Sequence, residues 1–326
     1  MQRRWRVAVN TEEWKPTPSE FENAMALETQ PEEQKKTRKY YFEADRKTSI
    51  VGRLLLRSVV HDCLGIENRD IAFDRTPKGK PILRPSLLQS DACRQNSCGG
   101  FNINISHSGH WVVCAAECDA PVGIDVTDYG MRRNSQMDFA LVDSDPTLDR
   151  TKYRPMAASF LESFVGPHGS IFAPTELAHM QRLLNDPACT AEGQLSAFSR
   201  YWTAKEAYVK VFGDGLGFEV SRLCFDFSGV PFASVPLLRP TLTAPVPHSA
   251  PMEAMTALRL HVDGILASGW SFESIRLDRN HICTVAVAPH PPPTRPEWWQ
   301  PDPPNMQFRS VSTLMDSLGG ELDWCC

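Results

Sequence analysis

Residues 101–126 read FNINISHSGHWVVCAAECDAPVGIDV, and this stretch lays out three strands. Phe101, Ile103 and Ile105 alternate with Asn102 and Asn104, the period of a strand with one face in a core and the other wet. Ser106-His107-Ser108-Gly109 is expected to turn the chain, and Trp111 to Ala116 to return it. Val122, Ile124 and Val126 alternate again, which puts Gly123, Asp125 and Thr127 together on the other face. An acid is thereby presented near a strand end.

Around these strands the periodicity changes to that of helices. Ile50, Val51, Leu54, Leu55, Val59 and Val60 form an apolar stripe within a helix expected over 43–64, which Gly65 can close. Further helices are expected near 157–164, at 175–185 after the start signals Pro174 and Thr175, and at 199–212 before glycines at 213, 215 and 217. Alternating segments follow near 257–263, 270–277 and 281–288. The stretch 229–251 reads as loop, and 289–304 holds eight of the 26 prolines and reads as extended linker. The final twenty residues either dock back or stay loose. A chain of this length has room for roughly two domains, with 289–326 as linker and tail.

Composition bounds the function. The chain has 326 residues, 42% hydrophobic and 22% charged, as soluble globular proteins do. A net charge of −5 opposes a general nucleic-acid binder, which needs a basic surplus to release counterions. No run approaches the roughly 18 apolar residues of a membrane span. The amino terminus, MQRRWRVAVNTEEWKP, lacks the apolar core of a secretory signal. Ten cysteines without a C-x-x-C pair read as reduced thiols in cytosol, not as a disulfide framework or a zinc site, which leaves the Asn104-Ile105-Ser106 sequon without a role. Asp323 stands where a prenylation box ending at Cys326 needs its cysteine.

Three segments carry chemistry. Arg75-Thr76-Pro77-Lys78-Gly79-Lys80-Pro81 crowds three cations into a punctuated loop that can face phosphates or simply be a solvated turn. It lacks the P-loop spacing. The Ser106-His107-Ser108 run invites a serine hydrolase reading, but the G-x-S-x-G elbow is absent. On the helix containing Tyr201-Trp202-Thr203-Ala204-Lys205-Glu206-Ala207-Tyr208-Val209-Lys210, Glu206 and Lys210 stand four apart on one face, either as a surface pair or as part of a site.

In order, R-T-P-K-G-K-P, F-N-I-N-I-S-H-S-G, V-G-I-D-V and Y-W-T-A-K-E-A-Y-V-K-V-F-G resemble the 4′-phosphopantetheinyl transferases. The resemblance runs from about Pro31 to Ala288 and is to the larger pseudo-dimeric class typified by the surfactin-synthetase activator, within it most of all to the animal branch serving aminoadipate-semialdehyde dehydrogenase. It implies two ferredoxin-like α+β halves, 1–135 and 136–288, related by a pseudo-twofold axis and acting as a single chain. It also implies transfer of phosphopantetheine from coenzyme A to a serine of carrier domains, as in fatty-acid synthase and lysine metabolism, releasing 3′,5′-ADP.

By the same resemblance Asp125 and Glu206 hold Mg²⁺, and Asp125, Glu206 and Lys210 carry catalysis, with Glu206 open as ligand or as base for the serine. Coenzyme A is then held by Lys36, Arg75, Lys78, Gly79, Lys80, Asn104, Ile105, Ser106 and His107 together with those three. Lys36 falls where animal relatives carry an arginine, so it keeps the charge but not the fork. Thr127 departs from the bacterial G-I-D-I-E pattern and withholds a third carboxylate. A degenerate, non-catalytic carrier-binding adaptor is the competing reading.

Overall fold

The computed structural model describes residues 4–89, 100–118, 120–128, 165–166, 169–186, 189, 191–213, 217–227, 247–255, 258–278, 280–289 and 304–319. The first half opens with β1 (Arg4–Asn10), α1 (Pro18–Leu27), α2 (Pro31–Arg38) and α3 (Glu43–Leu64). The strands β2 (Phe73–Arg75), β3 (Pro81–Leu83), β4 (Phe101–Ser108), β5 (Trp111–Cys118) and β6 (Val122–Asp128) follow. Then come β7 (Val165–Gly166), β8 (Gly169–Ser170), α4 (Pro174–Asn185), α5 (Ala191–Phe212) and β9 (Leu223–Asp226). The remainder is β10 (Ser249–Ala250), β11 (Glu253–Ala254), β12 (Arg259–Val262), β13 (Ile265–Leu266), β14 (Ser271–Arg276), β15 (His281–Val287), β16 (Met306–Phe308) and α6 (Val311–Gly319).

Local chemistry accounts for these elements. Thr17 and Glu20 form a reciprocal capping box at the start of α1, with Pro18 at its first position. The apolar stripe of α3 is buried as its spacing requires, and Gly65 closes the helix at φ 66. Two sheets form the centre: a five-stranded one, ordered β10-β16-β1-β5-β4, and a four-stranded one, ordered β11-β14-β15-β6. Helices α1, α3 and α6 share a core with the outer face of the first sheet. Helix α5 shares one with the second sheet and β9. Between the sheets lies a third core, where Ala8, Trp111, Val113 and Ala115 meet Ile124, Val126, Ile275 and Val285. The order of layers is therefore helix, sheet, sheet, helix, a mixed α+β architecture.

Sheet membership does not follow chain order. β6 pairs antiparallel with β15 in the second sheet. β16 runs parallel to β1 in the first sheet, with β10 on its other side. The expected division at 135/136 lies outside the described residues, as does the helix expected at 157–164. The tail docks back: Val311, Leu314 and Leu318 of α6 are buried against the first core. Part of the stretch read as loop, Ser249–Ala250, is an edge strand. One ion-pair network joins the sheets: Arg4 and Arg6 of β1 bond both Glu117 of β5 and Glu273 of β14, and all four are buried. Cys118 is disulfide-bonded, which corrects the expectation of reduced thiols throughout, while Cys63, Cys114, Cys189, Cys224 and Cys283 are free. No helix among the described residues is long and apolar enough to cross a membrane.

Candidate active site

The site forms where the edge strands of the two sheets meet. β4 does not turn at 106–109 as expected; it continues to Ser108, with the turn at Gly109 and His110. The reason lies in its polar face. Asn104 Oδ1 accepts from Ile124 N at 3.0 Å, Ser106 Oγ from Val126 N at 3.4 Å and Ser108 Oγ from Asp128 N at 2.9 Å. Three side chains at strand period thus take the place of a main-chain ladder, satisfying the free backbone donors of β6. This suture fixes β6 beside β4 and brings Ser106 Oγ to 3.0 Å from Asp125 Oδ1.

Helix α5 crosses the same strand at close range. A Cβ on Gly123 would lie 2.0 Å from the carbonyl oxygen of Ala207, so only glycine permits this approach. Thr203 and Thr284 share a hydroxyl bond of 2.8 Å beneath it. With the helix seated there, Lys210 Nζ donates to Asp125 Oδ1 at 2.6 Å and to Ser106 Oγ at 2.8 Å. Thr127 donates to the other Asp125 oxygen at 3.3 Å. One turn back, desolvation and then the negative charge of Asp125 raise the pKa of Glu206, against the pull of Lys210. The acids are thus close enough to repel, and Lys210 partly compensates them.

Lys80, expected at the coenzyme, donates to the carbonyls of Lys210 and Val211, both at 2.8 Å. A cation on the terminal carbonyls of a helix suits its dipole. Burial lowers the Lys80 pKa to about 8. Lys78 lies against the segment after α5, since a Cβ on Gly217 would be 2.9 Å from its Nζ. Gly79, at φ 90, shapes the loop, and its carbonyl accepts from Arg75 Nη1 at 2.8 Å. Lys80 therefore links the first-half loop to the second-half helix, and Lys78 reaches the segment after it.

The remaining cations converge on one acid. Glu33 bonds Lys36 at 2.6 Å, Arg75 at 2.7 Å and Arg53 at 2.8 Å. Burial alone would raise its pKa, but hydrogen bonds from Arg75 and Lys36 and the charge of Arg53 pull it to about 2. Arg53 was not singled out from the sequence; its signal was a charge beside the apolar stripe of α3. Desolvation and then Lys210 lower the His107 pKa. Asn104 and Ser106 act through the suture, and Ile105 packs against the first core. Lys205, within the same motif as Glu206, is a buried strut: it pairs with Glu176 at 2.9 Å and donates to the carbonyls of Val220 and Leu223. Among the described residues, Ser106 is bonded to an acid and a lysine and not to the histidine a hydrolase would place there.

Two acids on neighbouring elements, a lysine bonded to one of them and a fringe of cations make up the candidate site. Residues 12–119 match the family described as 4′-phosphopantetheinyl transferase, N-terminal, and residues 152–253 match the 4′-phosphopantetheinyl transferase superfamily. An L-aminoadipate-semialdehyde dehydrogenase-phosphopantetheinyl transferase of Rattus norvegicus is 30% identical over 286 residues, spanning 87% of this chain and 74% of the relative. The Homo sapiens protein of that name is 29% identical over the same length and shares. A 4′-phosphopantetheinyl transferase of Nostoc is 30% identical over 212 residues, 65% of this chain and 68% of its own. The chain belongs to the 4′-phosphopantetheinyl transferase family, and its activity is transfer of phosphopantetheine to carrier protein domains.

Proposed function

We propose that Asp125, Glu206 and Lys210 carry a Mg²⁺-dependent transfer from coenzyme A to a carrier serine. The observation supporting this is the junction itself, where Lys210 bonds Asp125 at 2.6 Å and Asp125 raises the proton affinity of Glu206. Two neighbouring carboxylates in repulsion favour a small hard cation with oxygen ligands, and Asp125 and Glu206 are the residues to hold it. Mg²⁺ bound there would neutralise the pyrophosphate. Lys210 adds a point charge for the same oxygens, and Ser106 orients Lys210 and Asp125. The carrier serine Oγ bonds to the β-phosphorus, the bond to 3′,5′-ADP breaks, and the serine proton leaves to Glu206 or through water. Arg75, Lys36 and Lys78, with His107, face the nucleotide end, while Lys80 and Gly79 hold their loop in place.

The carriers proposed are those of fatty-acid synthase and aminoadipate-semialdehyde dehydrogenase type, met in the cytosol by a single chain. Intact-protein mass spectrometry of an apo acyl carrier protein with this chain, coenzyme A and Mg²⁺ tests the proposal. One added arm, lost without the metal and with Glu206→Gln, is the expected result. Coenzyme A binding with no addition across several carriers would overturn it in favour of an adaptor.

A further inference from the structure

At the far end of β6 a second cluster joins the two halves. The turn after β4 carries His110, and the turn between β14 and β15 carries Asp278, with His281 opening β15. His110 Nε2 lies 3.1 Å from Asp278 Oδ2, and His281 Nδ1 lies 2.8 Å from Asp278 Oδ1. Potential ligand atoms of all three fall within 4.8 Å of one another. We propose that His110, Asp278 and His281 bind one Zn²⁺ ion that cross-links these turns.

With metal–ligand bonds of about 2.0–2.1 Å, the edges of a tetrahedral zinc site are about 3.3 Å. The two imidazole–carboxylate separations, 3.1 and 2.8 Å, are close to that edge, and all three groups offer an atom within 4.8 Å of the others. Two imidazoles and a carboxylate suit zinc better than Mg²⁺, which prefers oxygen. His110, whose side chain is 20% exposed, makes the cluster reachable from solvent.

The surroundings have the organisation of a metal site. A ligating histidine commonly presents its other ring nitrogen to a carboxylate, which sets its tautomer and raises its basicity. Here carboxylates stand near both of these nitrogens at longer than hydrogen-bond range: His281 Nε2 lies 3.5 Å from Asp128 Oδ2, and His110 Nδ1 lies 3.9 Å from Glu12 Oε2. Asp278 is oriented by Trp111 Nε1 at 2.7 Å and by the backbone nitrogens of Asn280 and His281 at 2.8 and 2.9 Å. His281 Nε2 is buried and makes no hydrogen bond, which marks the ring as held for its other nitrogen. A Cβ on Gly109 would lie 2.4 Å from that atom, so glycine is needed for the turn to close over it. Asp128 lies three residues beyond Asp125, about 10 Å along the strand, so this centre is separate from the transfer site. It contains no cysteine, and its members come from turns 168 residues apart, so no local motif announces it.

The test uses the full chain, stripped with a chelator and given Zn²⁺ or Co²⁺ in excess Mg²⁺. One Zn²⁺ per chain should be retained on desalting, Co²⁺ should give the strong visible absorption of a tetrahedral site, and Zn²⁺ should raise the thermal midpoint. His110→Ala should weaken Zn²⁺ binding at least about 100-fold. Asp125→Asn should keep the ion. His110 is partly exposed and its removal leaves the core intact, so this variant decides the matter even where Asp278→Asn fails to fold. No retained Zn²⁺, or retention unaffected by His110→Ala, would reduce the cluster to a hydrogen-bonded Asp–His network.

Discussion

Lys210 Nζ stands 2.6 Å from Asp125 Oδ1, a contact between the last turn of α5 and the middle of β6. It exists because Gly123 lets the helix backbone touch the strand and because Ser106 braces both groups from β4. The lysine side chain is 27% exposed and the acid 8%, so the pair is reachable from solvent on the cationic side.

Replacing Glu206 by Gln keeps shape while removing a charge. The rate of arm transfer should fall at least about 100-fold, the usual cost of deleting one electrostatic stabiliser. Steady-state kinetics with an apo carrier checks this, and near-normal turnover would return Glu206 to the surface-pair reading.

Lys210→Ala should raise KM for coenzyme A about tenfold or more with the fold preserved. It also removes the charge that lowers the Glu206 pKa, while burial and Asp125 continue to raise it. Glu206 should therefore protonate at higher pH in the variant. The acid limb of Mg²⁺ binding, followed by calorimetry, should lie above the ordinary glutamate value of 4.5 in the native chain and move further up in Lys210→Ala. A limb unmoved by the substitution would separate Lys210 from Glu206.

The Arg4/Arg6–Glu117–Glu273 network should be costly to break from one side. Glu273→Ala strands buried guanidinium groups and is expected to lose about 3–5 kcal/mol, read from the shift of the denaturant midpoint. A loss below about 1 kcal/mol would mean that water reaches the arginines.

Leu314 tests the docked tail. It is fully buried against the first core, so Leu314→Ala should cost about 2–5 kcal/mol. A tail that merely rested on the surface would show almost no change in thermal midpoint.

Lys80→Met should loosen the loop from α5. Two carbonyls lose their donor, a cost of about 1–3 kcal/mol, and coenzyme A use should weaken with it. In the native chain, the unfolded lysine holds its proton to an ordinary value of 10.5, whereas the folded one releases it at about 8. Between these values the unfolded state binds more protons, so this group makes stability rise with pH across that window. Urea titrations of both chains at pH 7.5 and about 10 should show the rise in the native chain and its loss in the variant.

Periodicity sufficed for α3, whose stripe and Gly65 define both its buried face and its end, and for the alternation of β4 and β6. It also put Asp125 on the face opposite Ile124 and Val126, which is the face that meets α5. The end of β4 was read too early, because Ser106-His107-Ser108 has turn composition, and its strand role depends on donors in β6. The bonds of Lys80 to the end of α5 were not legible in the sequence, because they form only when the two halves are packed.

What the sequence by itself determined is local: hydrophobic period, helix stops and the set of acids and cations in the family's order. Which of those charges face each other was decided by tertiary structure. The strand suture, the glycine contact with Ala207, the clustering of Lys36, Arg53 and Arg75 on Glu33, and the two histidines on Asp278 all join residues distant in sequence. Such contacts depend on distance and desolvation, which act between side chains only after the sheets and helices have buried their apolar faces.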